Sequence, residues 1–348
     1  MTVFHAPYRK FHPARLAGSP RLRSGKLRAT LVGGMIAIFA AMLSSFLWQS
    51  SEAQVVPQRG PLGFNLSNAI IPRNEIHAGG PPKDGIPALS NPAMIRPNQA
   101  TYLNPADRVA GVAIGDDARA YPLKILNYHE LVNTQVGGVP ILVTYCPLCD
   151  SVAVFDRRVD GRAPEFGVSG LLYNSNVLMY DRGGQPESLW SQAAAKAVSG
   201  PAAGKSLKAL PVELTTWQDW RERHPNTTVL SDRTGHARNY NVNPYARYFA
   251  GQRLMFPVRP MSDRLPAKTL VLGVWTEGES RAYPLAAFGA RDQTLDQELD
   301  GKRFRIAYDA RHRSVRVVAD EEGVEWMYAF WFAWHAFRPE TEVFAARR

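Results

Sequence analysis

The sequence predicts an α+β fold that is mainly antiparallel β and contains an internal duplication of a strand-strand-helix-strand-strand unit. Three observations predict it. Short runs rich in β-branched and aromatic residues are separated by Gly, Pro and Asn turn signals. Few stretches show the spacing of an amphipathic helix. Two five-residue strings, at 119–123 and 281–285, are identical. Antiparallel sheets with a packed helix are the natural architecture for such a pattern.

The N-terminal region predicts export. Residues 1–28 form a basic leader, because they contain seven Lys or Arg residues and the first acidic residue is Glu52. Residues 29–50 include an uncharged apolar run at 31–48, long enough for a transmembrane anchor and compatible with a signal peptide. A basic leader stays in the cytoplasm. We therefore expect a single-pass membrane protein with its globular domain outside the cytoplasm, in the periplasm, or an exported protein cleaved near Ala53.

The distribution of charge along the chain indicates which kinds of partner to expect. The formal net charge is +10, but from residue 29 onward 34 basic residues face 31 acidic ones. The excess charge therefore belongs mostly to the leader, and no nucleic-acid partner is expected. The membrane is the predicted partner, through the N-terminal segment. The sequence identifies no protein partner.

The rest of the chain divides into a wrap and a duplicated domain. Residues 51–106 are rich in Pro and Gly and predict an extended wrap over the core, with a flexible stalk as the alternative. Residues 107–348 form the duplicated β-rich domain. Its parts are a first unit at 108–160, a middle segment at 161–269, a second unit at 270–323 and an aromatic C-terminal segment at 324–345.

The two units align residue by residue. Residues 109–112 match 271–274 at an offset of 162, as do the two identical strings, and Tyr145 matches Tyr308 at an offset of 163. In the first unit we predict strands near 108–114 and 119–122, a helix over 123–132, and strands at 140–145 and 151–157. The helix of the second unit should be shorter. Such a repeat in register indicates an ancient duplication.

The two cysteines carry the strongest chemical signal. Cys146 and Cys149 enclose Pro147 and Leu148, and a strand pattern rather than a helix follows them. We therefore expect them at a hairpin tip with both sulfurs on the same side, as in a metal knuckle. A tetrahedral site needs more ligands. His129, on the predicted helix just before the hairpin, is the proposed third ligand, and His77, His335 and Met179 are further candidates by residue type.

Three functions remain open on these residues. The first is binding of a thiophilic metal, Cu or Zn, by Cys146, Cys149 and His129. The second is thiol–disulfide oxidoreductase activity, in which Cys146 and Cys149 are catalytic. The third is a non-catalytic binding or scaffold module with a structural disulfide. The second unit has Asp309 and His312 at the positions of the two cysteines, which indicates that the fold does not need the thiols.

Six strings in order resemble one protein family, the domain of unknown function 3179. They lie at residues 79–87, 145–149, 166–170, 179–182, 189–192 and 330–334. The resemblance spans roughly residues 70–345. It implies an exported bacterial or archaeal protein and no established activity. Asp150 departs from the pattern, since Gly or Asn is more usual there.

Overall fold

The fold is described from a computed structural model, which covers residues 60–345. The predicted leader, the apolar run and the cleavage site near Ala53 lie outside these residues. Within residues 60–345 no helix is both long and apolar enough to cross a membrane.

The chain between these limits is built mostly of short strands. Up to the cysteine hairpin the strands are β1 (Ile76–Ala78), β2 (Leu89–Ser90), β3 (Met94–Ile95), β4 (Arg108–Ile114), β5 (Asp117–Pro122), β6 (Leu131–Val136) and β7 (Val139–Cys146). Through the middle segment they are β8 (Ser151–Asp156), β9 (Phe166–Tyr173), β10 (Asn176–Asp181), β11 (Leu189–Ser191), β12 (Lys196–Ser199), β13 (Lys208–Leu210), β14 (Glu213–Thr216) and β15 (Thr228–Leu230). The last are β16 (Leu270–Trp275), β17 (Ser280–Pro284), β18 (Gln293–Leu299), β19 (Lys302–Asp309), β20 (Ser314–Asp320), β21 (Glu325–Phe330) and β22 (Glu342–Val343).

The helices are short. The α-helices are α1 (Leu123–His129), α2 (Trp217–Arg223), α3 (Ala246–Ala250) and α4 (Trp331–Phe337). Single 3₁₀ turns lie at Pro61–Gly63, Arg73–Glu75, Pro97–Gln99 and Leu285–Ala287. The predominance of strands with few helices confirms the prediction of an α+β, mainly β fold.

The strands form four sheets. The largest has the order β2-β6-β7-β8-β21-β16-β17-β22, with β13 also paired to β8. The others have the orders β1-β9-β10-β11-β12, β14-β4-β5-β15-β3 and β18-β19-β20. Most pairs are antiparallel, and the exceptions are β2 with β6, β15 with β5 and β22 with β17. The cysteine hairpin, β7–β8, therefore lies in the middle of the largest sheet.

The described part of the Pro/Gly-rich segment follows the core closely. Its three short strands pair with three different sheets: β1 with β9, β2 with β6, and β3 with β15. Because strands this short contribute few hydrogen bonds each, the segment is held by several separate contacts along its length.

The predicted helix over 123–132 is wrong at its C-terminal end. Helix α1 stops at His129, because Glu130 has a positive φ of 56°. Leu131 and Val132, which fit the helical spacing, instead begin β6. Each unit therefore has one strand more than predicted. The turn between β6 and β7 contains Gly137 and Gly138 with φ of 55° and 80°, a backbone that favours glycine.

The two units have the same order of elements and matching contacts. Strand β14 pairs with β4 as β21 pairs with β16, and β15 lies parallel to β5 as β22 lies parallel to β17. The backbone N–H of Trp217 donates to the Asp107 carbonyl at 2.7 Å, and that of Trp331 donates to the Thr269 carbonyl at 2.8 Å. Asp107 and Thr269 differ by the same offset of 162 as the identical strings. These matched contacts support the duplication, which stays an inference.

A tryptophan covers a glycine at the same place in each unit. A Cβ on Gly111 would lie 2.2 Å from the ring of Trp220, and a Cβ on Gly273 would lie 2.2 Å from the ring of Trp334. The indole N–H of Trp220 donates to Thr227 Oγ1 at 2.8 Å. In the same way, the indole N–H of Trp334 donates to Thr341 Oγ1 at 2.9 Å. The aromatic C-terminal segment is thus core, as its composition indicates.

Candidate functional site

The two cysteines stand at the tip of the β7–β8 hairpin, as predicted. Cys146 is the last residue of β7 and pairs with Ser151, the first residue of β8. The backbone N–H of Cys149 donates to the Cys146 carbonyl at 3.1 Å, which closes the turn. Asp150 completes the turn with a φ of 43°, in the left-handed region where Gly or Asn is favoured.

Side-chain bonds hold Asp150 in this conformation. Its carboxylate accepts a hydrogen bond from the Tyr145 hydroxyl at 3.0 Å and another from an Arg108 guanidinium N–H at 3.1 Å. Asp150 is buried, so the paired guanidinium offsets the cost of removing its charge from water. Arg108, the first residue of β4, thereby ties the cysteine turn to a second sheet.

Both thiols are free and buried, and they converge on one backbone oxygen. The exposed fraction is 1% for Cys146 and 0% for Cys149. The Ser175 carbonyl oxygen lies 3.2 Å from the Cys149 sulfur and 3.8 Å from the Cys146 sulfur. Ser175 belongs to the two-residue β9–β10 turn, where it and Asn174 have φ of 62° and 50°. The β9–β10 turn therefore faces the cysteines.

The two thiols differ in acidity. Burial raises the pKa of the Cys146 thiol, but hydrogen bonds to its sulfur outweigh burial and lower the pKa. They come from the Cys149 thiol and from the backbone N–H groups of Cys149, Val177 and Leu148. The pKa of Cys149 lies well above its usual value, because of burial, its bond to Cys146 and repulsion by the Cys146 thiolate. The Cys146 thiol is therefore the more acidic of the two.

Glu130 supplies an acid beside Cys146. It caps α1, and its carbonyl accepts the backbone N–H of Tyr145 at 2.7 Å, which fixes it next to the cysteine strand. Only 6% of the residue is exposed. Burial, followed by repulsion from Cys146, raises the pKa of the Glu130 carboxyl well above its usual value. The carboxyl is thus protonated over a pH range in which ordinary glutamates are charged.

A small cavity brings Glu130 and Cys146 together. Its volume is about 180 Å³, and both residues line it. The other walls are mainly apolar and include Ile86, Leu148, Leu172, Val177, Met255 and Phe256. Typical pockets for small-molecule ligands are about 300–1,000 Å³. This cavity has room for a side chain rather than for an organic cofactor.

Distant segments fix the rest of the turn. The Tyr248 hydroxyl donates to the Leu148 carbonyl at 2.7 Å, and the backbone N–H of Phe330 donates to the Cys149 carbonyl at 2.7 Å. The Asn176 amide donates to Gln192 Oε1 at 2.8 Å. Asn176 also forms a hydrogen bond with Cys149, and this bond opposes the rise in the pKa of Cys149. Gln192 lies in the 189–192 string, which gives that string a role in supporting the site.

His129, the proposed third metal ligand, points elsewhere. Its Nδ1 lies 2.7 Å from the Pro87 carbonyl oxygen and its Nε2 lies 2.7 Å from the Tyr240 hydroxyl. Burial lowers its pKa to about 4, so the imidazole is neutral. Both ring nitrogens are occupied, and ligation by His129 would require breaking one of these bonds. Its neighbour Glu130 is the residue that lines the cavity beside Cys146.

A different group of metal-ligand residue types lies at the second unit. Within residues 60–345, Asp219, Asp309 and His312 place one ligand atom each within 4.8 Å of one another. Arg223 already bonds both carboxylate oxygens of Asp219, at 3.0 and 2.7 Å. His312 Nδ1 is 3.0 Å from an Asp309 carboxylate oxygen. The group is therefore an ion-pair network that holds α2 to the β19–β20 hairpin.

The family model described as protein of unknown function, DUF3179, matches residues 83–341. This range includes the cysteine hairpin, Glu130 and both units. The chain belongs to the DUF3179 family. No curated protein and no solved structure matches it. Membership of DUF3179 confirms the resemblance indicated by the six strings.

Proposed function

We propose that this DUF3179 protein carries out thiol–disulfide exchange, with Cys146 as nucleophile, Cys149 as resolving thiol and Glu130 as the proton-transfer group. The observation that carries the proposal is the asymmetry of the pair. One sulfur accepts three backbone N–H bonds and has a lowered pKa, while its neighbour keeps its proton. A thiolate is the reactive form of cysteine, and a resolving thiol must stay protonated until the first step is complete.

In the first step, the Cys146 thiolate attacks one sulfur of a substrate disulfide. The substrate S–S bond breaks, and a mixed disulfide to Cys146 forms. The departing sulfur takes a proton from the Glu130 carboxyl, which lines the same cavity. A carboxylic acid with a raised pKa suits this role, since general acids work best when their pKa lies near the operating pH.

In the second step, the Glu130 carboxylate takes the proton of Cys149. The Cys149 thiolate attacks the Cys146 sulfur, the Cys146–Cys149 disulfide forms, and the second substrate sulfur leaves as a thiolate. Two electrons pass from the cysteine pair to the substrate. The shared contact of both sulfurs with the Ser175 carbonyl keeps them adjacent for this step.

Binding of Cu(I) is the second candidate, and one observation favours it. Both sulfurs point to the same side of the turn, and backbone N–H groups surround Cys146 as they surround bound thiolates. Soft thiolate ligands select Cu(I). Zinc is less well supported, because it requires about four ligands. No third His, Cys, Asp or Glu ligand atom joins the two sulfurs among the described residues.

One experiment on the purified full chain separates these functions. The reduced protein is mixed with an excess of a disulfide, and the oxidised pair is detected by mass after alkylation. In parallel, a Cys149→Ser variant is tested for a mixed disulfide at Cys146. We expect stoichiometric oxidation of the parent and a trapped adduct in the variant. Retention of copper by protein that does not exchange with any disulfide would favour the metal function instead.

We also propose that the domain acts outside the cytoplasm, anchored by residues 31–48 or released after cleavage near Ala53. The basic leader and the apolar run support this. A reporter that is active only in oxidising compartments, fused after Arg348, should be active. Activity of a reporter restricted to the cytoplasm would contradict the proposed location.

A further inference from the structure

The cavity at Cys146 combines small size with an uncharged lining. It is about 180 Å³ and opens beside Met255, whose exposed fraction is 59%. The described lining residues include no Lys, Arg, His or Asp. The one acid among them is Glu130, and burial raises the pKa of its carboxyl well above the usual value. We propose that the substrate is a disulfide carried by a polypeptide and flanked by apolar residues, rather than a small charged disulfide. This inference rests on the proposed thiol–disulfide function.

Volume gives the first argument. A ligand that enters whole needs a pocket of about 300 Å³ or more. The available space fits one cysteine side chain and little else. The remainder of the substrate must therefore lie outside the cavity, across its mouth, as the backbone of a polypeptide does.

Charge gives the second argument. Glutathione disulfide carries several carboxylates and ammonium groups, and charged groups lose hydration when they enter an apolar site without partners. The cavity walls, among them Leu172, Val177 and Phe256, supply no such partners. A cysteine between apolar neighbours has no charge to desolvate and gains from the contact.

The mouth supplies the third argument. Met255 is both a wall of the cavity and one of the most exposed large apolar side chains among the described residues. A flexible thioether accommodates apolar partners of varied shape. The exposed Met261, on the same segment, has an exposed fraction of 50% and does not line the cavity. It offers a matched control.

The test uses the reduced full chain and three disulfides: a peptide disulfide flanked by Leu and Val, the same peptide flanked by Asp and Lys, and glutathione disulfide. The rate of oxidation of the Cys146–Cys149 pair is measured with each. We expect the apolar peptide to react about tenfold faster or more, since contact with one apolar side chain contributes on that order. Met255→Asp should remove most of this preference, and Met261→Asp should leave it unchanged.

The possible results distinguish an error in the substrate class from an error in the proposed thiol–disulfide function. If glutathione disulfide reacts as fast as the apolar peptide, or if Met255→Asp and Met261→Asp behave alike, the substrate class is wrong while disulfide exchange stands. If none of the three disulfides oxidises the pair, the proposed function itself is wrong. The conservative change Met255→Leu should keep the preference, which distinguishes an apolar contact from a general disturbance of the segment.

Discussion

Two hairpins at matching positions share a turn but not a chemistry. The β7–β8 turn pairs Cys146 with Ser151, and the β19–β20 turn pairs Asp309 with Ser314. Each turn contains a residue in the left-handed region at its fourth position, Asp150 at φ 43° and Arg313 at φ 50°. The backbone therefore forms this turn without cysteines.

The surroundings of the two hairpins explain the difference. An ion pair is present at both hairpins, Arg108 with Asp150 at the first and Arg223 with Asp219 at the second. Around Cys146 and Cys149 there are in addition the Glu130 carboxyl, a backbone carbonyl and an apolar cavity. Asp309 and His312 instead contact each other and Asp219, so only the first hairpin places thiols next to an open space. This contrast supports a chemical role for the thiols rather than a requirement of the fold.

The largest expected effect is the loss of exchange rate when Cys146, but not its counterpart Asp309, is replaced. Cys146→Ser should reduce the rate of disulfide exchange by about 10³-fold or more, because the nucleophile is removed. Asp309→Ser should leave that rate unchanged and lower only the thermal stability. Single-turnover kinetics and thermal unfolding of both variants provide the measurement. Equal loss of rate in the two variants would remove the basis for assigning chemistry to the first hairpin alone.

The cysteine turn and the β7–β8 hairpin could be predicted from the sequence, because each depends on residues close together in the chain. Family membership could be predicted because six short strings occur in order along the chain. A strand pattern on both sides of the cysteines is enough to place them at a hairpin tip. The end of α1 could not be predicted, since Leu131 and Val132 continue the helical spacing although they belong to β6.

The composition of the site was harder to predict, because it depends on long-range pairing. Ser175 reaches the thiols through the β9–β10 hairpin, and Tyr248 reaches Leu148 from helix α3, a hundred residues away in the chain. His129 and Glu130 are adjacent in sequence and equally plausible as partners of a thiolate. The strained backbone at Glu130 sends its side chain to the cavity and leaves the His129 ring with Tyr240.

Glu130→Gln should slow exchange by about 10²-fold, since it removes a general acid and base. The slower step should be the resolution of the mixed disulfide, because Cys149 then lacks a proton acceptor. Rapid quenching at intervals should reveal an accumulating mixed disulfide at Cys146. Unchanged kinetics in this variant would exclude Glu130 from proton transfer.

Glu130, beside the first hairpin, and Asp309, in the second, should contribute to stability with opposite dependence on pH. The folded pKa of Glu130 is raised, so its contribution to stability is full below about 4.5 and is lost as pH rises through the folded pKa. Glu130→Gln should therefore become more stable relative to the parent as pH rises. Burial raises the pKa of Asp309, but bonds from His312 outweigh burial and lower it. Its stability contribution is present above 3.8 and is lost as pH falls.

Asp309→Asn should accordingly be less stable than the parent at neutral pH, with the difference shrinking as pH falls below 3.8. Urea unfolding of the parent and both variants at several pH values measures the two trends. If the stability of both variants relative to the parent changed with pH in the same direction, the two acids would not be in opposite environments.

Gly111→Ala and Gly273→Ala test the matched packing of the units. In each, the new Cβ would lie 2.2 Å from an indole ring, far inside van der Waals contact. Overpacking of this kind costs about 1–3 kcal/mol and occasionally more. We expect losses of similar size in both variants, measured as changes in the free energy of unfolding. Gly289→Ala, where the nearest atom to the new Cβ would be the Gln293 side-chain nitrogen at 3.7 Å, controls for the loss of glycine's backbone freedom without a clash.

The smallest expected effect concerns the hydrogen bond beneath each tryptophan. Thr227→Val and Thr341→Val remove the acceptors of the Trp220 and Trp334 indole N–H groups, which are otherwise buried. An unsatisfied buried donor costs about 1–3 kcal/mol, whereas the fold tolerates the isosteric change in shape. The Thr227 hydroxyl donates to the Ala118 carbonyl at 3.0 Å, and the Thr341 hydroxyl donates to the Glu342 carbonyl at the longer distance of 3.3 Å, so the loss at Thr227 should be slightly the larger of the two. Unfolding free energies of the two variants, and of the double variant, check this. If the units are independent copies of one packing arrangement, the two losses should add, because residues far apart with no shared partner rarely couple.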